Sequence, residues 1–372
     1  MAESTVSAII PVHNRVELCR QAVDSAIAAL EGLNAEVIVI DDGSDDDIAA
    51  ALSAQRGHSP AHHGPTRHSP AHHGPTRHVP AHDNPTGDRP APRSPADHPR
   101  IPVHVHRIPW SGMPGHARNV GVERSTGEYI AFLDSDDLWY PDKIRAQLEE
   151  LRHRGARMVH CRERWIRDGN EISQRRHRHK RRGDIFQDAL AKCIVGPSTW
   201  TLERSLFTEI GGFRGDLQVA EDYELALRLL AFEPIAYVEQ PLVEKRDHAG
   251  PQLSHMYSQI EGFRIRALGD VLADMIEARA VRGEAEPAAV KEAIDAVTSI
   301  HGKNSSGRCF PRTRWGTVSP AHVDSSRVTQ AAQEYARKCR IFATGAGKRG
   351  RDREAAIHTR AADTLENSWY FR

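Results

Sequence analysis

Asp134, Asp136 and Asp137 stand within DSDD, directly after the apolar run YIAFL. Charges of one sign packed this closely repel one another. The arrangement is favourable only where something cationic shares the site. Two further strand-like segments end in polar loops of comparable type. The first apolar run, Val6 to Ile10, leads into Pro11-Val12-His13-Asn14-Arg15, and EVIVI leads into Asp41-Asp42-Gly43-Ser44. If these strands are parallel neighbours, their carboxyl ends share one rim, where open α/β sheets bind ligands. The acids would then converge around a hard divalent ion, Mg²⁺ or Mn²⁺, which prefers oxygen donors. Such ions keep waters and take one or two carboxylates plus phosphate oxygens, which points to a nucleoside diphosphate as co-ligand. Arg118, after a turn containing Gly112 and Gly115, is placed to offset phosphate charge. Asp and Ser also cap helices well, and one or two of the DSDD residues can serve the following helix in that way. Three carboxylates, with a second acidic pair at another strand end, exceed that need. Glu221-Asp222 opens EDYELALRLL, as a helix N-terminus favours, and its residue types alone carry no chemistry.

The elements that must position these groups alternate. A helical pattern with Cys19, Val23, Ile27 and Leu30 on one face separates the first two strands. Asp47 to Leu52 reads as a short helix, Val103 to Ile108 as a strand, Ala117 to Arg124 as a helix, and Glu128 to Leu133 as a strand. Asp142 to Arg154 reads as an amphipathic helix and Arg157 to Trp165 as a strand. This order predicts an α/β fold: a doubly wound, mostly parallel sheet of Rossmann-like type. Two helical segments flank Gly211-Gly212-Phe213. From Tyr257 onward the pattern is mostly helical, with an irregular stretch around Ser299 to Ser326, a helix over Gln330 to Arg340, and a basic, weakly patterned tail after Gly345.

Residues 57–99 break the alternation with HSPAHHGPTR, the same decamer again, and HVPAHDNPTG. Almost nothing there is apolar, and the tract is expected to be a disordered insertion. Its histidines invite adventitious metal rather than a dedicated site. The basic run RRHRHKRR (175–182) is read as a solvated loop, with an electropositive lip for an anionic substrate or membrane phosphate as the sharper alternative.

The 372 residues carry 50 Lys plus Arg against 50 Asp plus Glu, so global charge gives no argument for nucleic acid or a membrane surface. Five scattered cysteines form neither a disulfide framework nor a zinc pattern. No basic, apolar leader opens MAESTVSAII and no apolar run approaches about 18 residues. A cytoplasmic protein is expected, with peripheral contact at the inner membrane face left open.

SAIIPVHNR, EVIVIDDGSDD, GHARNVGVERSTGEYIAFLDSDDLWYPDKI, RSLFTEIGGF and EDYELALRLL together resemble the family-two glycosyltransferases of the GT-A fold. They occur in the family's order across most of residues 5 to 232. The resemblance implies a GT-A domain over 1–255 and leaves 256–372 as a helical region of open role. It implies that Pro11, His13 and Arg15 hold the base and ribose, that Asp41 and Asp42 contact them, and that Arg118 and Ser135 lie at the nucleotide. Asp134 and Asp136 match the family's Asp-x-Asp pair, with Asp136 favoured for metal contact and Asp137 still open. Asp222 matches the catalytic base and Glu221 its neighbour. A histidine past this helix, His248 or His255, would complete the metal site.

The implied activity is inverting transfer of a sugar, hexosyltransferase-type, from a nucleotide donor to a glycan, lipid-linked or protein acceptor, in surface glycan synthesis. One carboxylate suffices for inversion, whereas a hydrolase needs two flanking the bond. A sugar nucleotidyltransferase ranks below, because PVHNR lacks the glycines of a triphosphate loop. A degenerate binding protein is opposed by intact Asp134, Asp136 and Asp222.

Overall fold

The structure, a computed structural model, describes residues 5–54, 100–172, 181–247, 260–281, 283, 287–298 and 323–367. The repeat tract, His248 and His255, and most of the basic run lie outside the described residues.

The N-terminal half begins with β1 (Val6–Val12), α1 (Val16–Leu30), β2 (Ala35–Asp42), α2 (Ile48–Ala54), β3 (Val103–Ile108), α3 (Pro114–Glu123) and β4 (Tyr129–Phe132). It continues through β5 (Leu138–Trp139), α4 (Lys143–Arg154), β6 (Met158–Arg167), β7 (Asn170–Ile172), α5 (Phe186–Ala191) and β8 (Thr201–Glu203). Then come α6 (Arg204–Glu209), α7 (Glu221–Phe232) and β9 (Ala236–Asp247), followed by helices α8 (Ile260–Val281), α9 (Pro287–Thr298), α10 (Ser325–Lys348) and α11 (Asp352–Glu366).

One sheet runs in the order β3-β2-β1-β4-β8-β6-β9-β5, with β7 paired to β6. The ladders β1–β2, β1–β4, β2–β3 and β6–β9 are parallel, and short antiparallel ladders at β8, β5 and β7 join or flank them. Strands β1, β2 and β4 are apolar on both faces because helices cover both, whereas β3 (VHVHRI), at the sheet edge, buries no residue fully. Ile9, Ile38, Ile40, Ile130 and Phe132 belong to one core, and Ala8, Ile10, Val37, Val39, Ala131 and Leu133 to the other. That alternation of neighbours is the period-two signature of a doubly wound sheet. The helix α1 buries Cys19, Ala22, Val23, Ala26, Ala29 and Leu30; of the expected stripe Cys19, Val23 and Leu30 are buried, and Ile27 is only partly buried against the core. At Gly121, α3 lies so close to β1 that a Cβ would sit 2.3 Å from Ile9 Cγ2.

The C-terminal helices share the sheet's core rather than forming a separate one. Residues Leu268, Leu272 and Ile276 of α8 and Tyr335 of α10 join the cluster that contains Phe132 and Tyr223. Lys338 of α10 donates to the Ala191 carbonyl at 2.8 Å. The weakly patterned tail proves helical over α11. Its buried stripe is His358, Ala361, Ala362 and Leu365, and three of these four are too small or too polar to mark a face by hydropathy. Among the described residues no helix is long and apolar enough to cross a membrane.

Candidate active site

The parallel ends of β1, β2 and β4 bring their loops to one rim, as the sequence predicts. After β1 the chain turns through Asn14 (φ 57°) and Arg15 (φ 62°), a left-handed path that non-glycine residues seldom take. Contacts fix it there. Asn14 N donates to Ser44 Oγ at 2.7 Å, Asp45 N donates to Asn14 Oδ1 at 2.8 Å, and His13 donates from Nδ1 to the Asp42 carbonyl at 2.8 Å. Pro11 is the half-buried penultimate residue of β1, paired with Ile40.

Asp41 and Asp42 are nearly fully buried. Asp41 accepts from Ser44 N at 2.8 Å and has Arg107 Nη1 at 3.8 Å. Asp42 accepts from Ser111 N (2.7 Å), Ser111 Oγ (3.0 Å) and Gly112 N (3.1 Å), so it organises the loop between β3 and α3.

The DSDD loop does not cap α4, whose N-cap position is Asp142. Each of its carboxylates instead faces a cation. Asp134 Oδ1 accepts from Arg118 Nη2 at 2.6 Å, and Asp136 Oδ2 accepts from Arg15 Nη1 at 2.9 Å. Asp137 Oδ2 accepts from Ser198 Oγ at 2.6 Å and lies 3.3 Å from Lys245 Nζ, which is also 4.0 Å from Asp134 Oδ2. Burial pushes Asp137 up to about 7 against the pull of Lys245, with Asp134 and Asp136 adding to the rise. Burial alone would lower Lys245, but Asp137 and Asp134 hold it well above the usual lysine range. Asp134, though buried, stays below the ordinary carboxylate value because Arg118 and Lys245 outweigh its desolvation. Ser135 is buried within the same loop.

The second acidic pair opens α7 immediately after Ala220, again at positive φ (65°). Three of the four non-glycine residues with positive φ among the described residues therefore sit in these loops, where strain is usually functional. Arg118 Nη1 donates to Glu221 Oε1 at 2.7 Å, so one buried guanidinium joins the β4 loop to α7. The sequence placed Arg118 opposite phosphate. In the structure its two terminal nitrogens are engaged by Asp134 and Glu221, and its plane lies over the Phe213 ring at 5.2 Å. Burial pushes Glu221 up to about 7; Arg118 opposes the rise and Asp222 adds to it. Asp222 accepts from its neighbour Tyr223 N at 2.7 Å and from the Cys193 thiol at 3.4 Å.

Three side chains here escaped the sequence reading. Lys245 comes from β9, whose segment EQPLVEKRD lacks clean alternation; Pro241 sits beside the register shift between Cys161 and Arg162. Arg246, next to it, donates from Nε to the Asp136 carbonyl at 2.7 Å. Cys193 gave no signal, being a lone thiol in a short helix-to-turn segment. The KRDH stretch was the available clue to the first two, since two cations there had no assigned partners.

The carboxylates of Asp134 and Asp136 are of the donor type a hard divalent ion takes, although here Arg118 and Arg15 are paired with them. Asp134 and Asp136 offer carboxylate oxygens at one strand end, and such an ion needs only one or two of these beside phosphate oxygens and water. Among the described residues no cluster of three His, Cys, Asp or Glu side chains forms a closed cage.

Two family models match the chain: "Glycosyltransferase like family 2" over residues 104–276 and "Glycosyl transferase family 2" over residues 7–62. A Rickettsia felis protein named as a glycosyltransferase is 25% identical over 248 residues, 67% of this chain and 34% of its own. The chain thus spans about a third of that relative's length. The amylovoran biosynthesis glycosyltransferase AmsB of Erwinia amylovora is 31% identical over 137 residues, 34% of this chain and 44% of its own. In overall shape the chain resembles S. aureus TarS (residues 1–349, solved with UDP-GlcNAc), with a TM-score of 0.54 at 16% identity, covering 97% of this chain and 89% of that one. That likeness establishes the GT-A fold.

Proposed function

Because the chain belongs to the family-2 glycosyltransferases, we propose that it transfers a sugar from a nucleoside-diphosphate donor to an acceptor hydroxyl, with inversion at the anomeric carbon. The observation that carries this reading is the single rim. Loops from three parallel strands meet there, and Arg118 ties the DSDD loop to the acidic start of α7.

In this reading Asp134 and Asp136 would hold Mg²⁺ or Mn²⁺, which when bound would supply electrostatic stabilisation of the diphosphate. Arg15 and Lys245 fix the carboxylates of Asp136 and Asp137, so the loop does not spread under its own repulsion. His13, Arg15, Asp41 and Asp42 shape the nucleoside end. Asp222 takes the proton from the acceptor hydroxyl as it attacks. Cys193 and Tyr223 N orient that carboxylate. Glu221, held by Arg118, is the supporting acid beside it rather than a second base. The amylovoran role of AmsB favours an acceptor in surface polysaccharide synthesis.

The test is a panel of nucleotide sugars with Mn²⁺, following release of the nucleoside diphosphate. Turnover by the wild type and a loss of about 10²–10⁴-fold in kcat for Asp222→Asn, with donor KM little changed, is the expected result. Release of pyrophosphate instead, or equal turnover by Asp222→Asn, contradicts it.

A further inference from the structure

Trp110 is 68% exposed, and Ile341 is the only other large hydrophobic side chain that stands out so far among the described residues. A lone exposed hydrophobic side chain is ordinary on a protein surface; Trp110 stands apart because it lies at the strand-end rim, beside Gly43 and His13. It is also held with unusual care. The Trp110 backbone passes directly over Gly43, where a Cβ would lie 2.6 Å from Trp110 N; Gly43 also has φ +66°. On its other side the loop is pinned by three donors to one carboxylate, Ser111 N, Ser111 Oγ and Gly112 N to Asp42. Ser111 Oγ in turn accepts from Met113 N at 3.1 Å. The benzo edge of the indole rests against Gly112, where a Cβ would be 3.3 Å from Trp110 Cζ2. The His13 ring lies 6.1 Å away, centre to centre, tilted by 36°.

A rigid, solvent-facing aromatic ring beside the strand-end rim is what a flat, weakly polar ligand group stacks on. Two stacking distances of about 3.5 Å do not fit in the gap between the His13 and Trp110 rings. The stacked group therefore lies on the outward face of the indole. His13 is two residues from Arg15, which holds Asp136. A diphosphate at Asp134 and Asp136 would thus present its nucleoside toward this side of the rim. We propose that Trp110 is the platform on which the base of the nucleoside diphosphate stacks, and that Asp42 acts by fixing the loop that carries it. This rests on the donor chemistry proposed above and adds to it the residue that sets nucleoside affinity.

The experiment is isothermal titration of the whole chain with UDP, GDP, CDP and ADP at fixed Mn²⁺, and with inorganic pyrophosphate as a probe that lacks a base. Trp110→Ala is expected to weaken the best nucleoside diphosphate by about tenfold or more, while Trp110→Phe, which keeps a stacking ring, stays within about threefold of wild type. Pyrophosphate affinity is expected to be the same in all three proteins. Unchanged nucleotide affinity in Trp110→Ala overturns the proposal. So does an equal loss for pyrophosphate, which would make Trp110 a structural residue only. A wild type that binds pyrophosphate but none of the four nucleotides removes both this proposal and the donor reading; binding that ignores Trp110 removes this proposal alone.

Discussion

Arg118 and Glu221 are 103 positions apart, yet a guanidinium N–H of one donates to the carboxylate of the other at 2.7 Å inside the protein. The same guanidinium holds Asp134, so a single buried cation stands between two acids delivered by different elements. Removing it would strand both carboxylates without their counter-ion. Arg118→Met is expected to destabilise the fold by about 3–5 kcal/mol, the usual cost of breaking a buried ion pair from one side. Urea denaturation measures this. A loss under about 1 kcal/mol would mean that water or rearrangement satisfies the acids, and the linking role would fall.

Glu221 gives a pH signature with a definite sign. Burial raises it from an ordinary 4.5 to about 7 in the folded protein, against the pull of Arg118. The folded state therefore retains a proton that the unfolded chain has released. This contribution to stability is complete below about pH 4.5 and is lost as the pH rises through about 7. Glu221→Gln cannot release that proton, so its melting temperature is expected to fall less than that of wild type across pH 4.5 to 7. Parallel melting curves for the two proteins, recorded without divalent ions, would refute this.

Lys245 lies between the two carboxylates that flank Asp136 in the loop, 3.3 Å from Asp137 and 4.0 Å from Asp134. Its charge offsets the field that attracts a divalent ion. Lys245→Met is expected to bind Mn²⁺ alone about fivefold or more tightly, on the scale of one unit charge at about 4 Å in a solvated setting. Titration followed by the paramagnetic signal of free Mn²⁺ reads this directly. Equal or weaker binding would place the ion away from this loop.

The rim was legible in the sequence because parallel strands buried on both faces read as uninterrupted apolar runs, and their polar ends stand out by contrast. The runs before Asp41 and Asp134 are of this kind. The short helix Glu221–Phe232 was legible from its periodicity and its acidic first turn. What stayed hidden was the supply of cations. Lys245 and Arg246 ride on β9, whose charged residues, proline and register shift leave no strand pattern. Arg118 was read as a phosphate ligand because its partner Glu221 is remote in sequence, and no local pattern reports a contact over that distance. Trp110 lies in a loop, where an aromatic residue carries no periodic signal. Its exposure is visible only once Gly43 and Asp42 are seen to hold it in place.

The central claim is that acids far apart in the chain share one donor site with a divalent ion. Crystals soaked with Mn²⁺ and the preferred nucleoside diphosphate test it most directly, through the anomalous signal of manganese. The account predicts a peak within coordination distance of Asp134 or Asp136, bridged to the diphosphate, with Asp222 facing the same cleft. A diphosphate bound elsewhere, or manganese located only on the histidine-rich repeat, would contradict it.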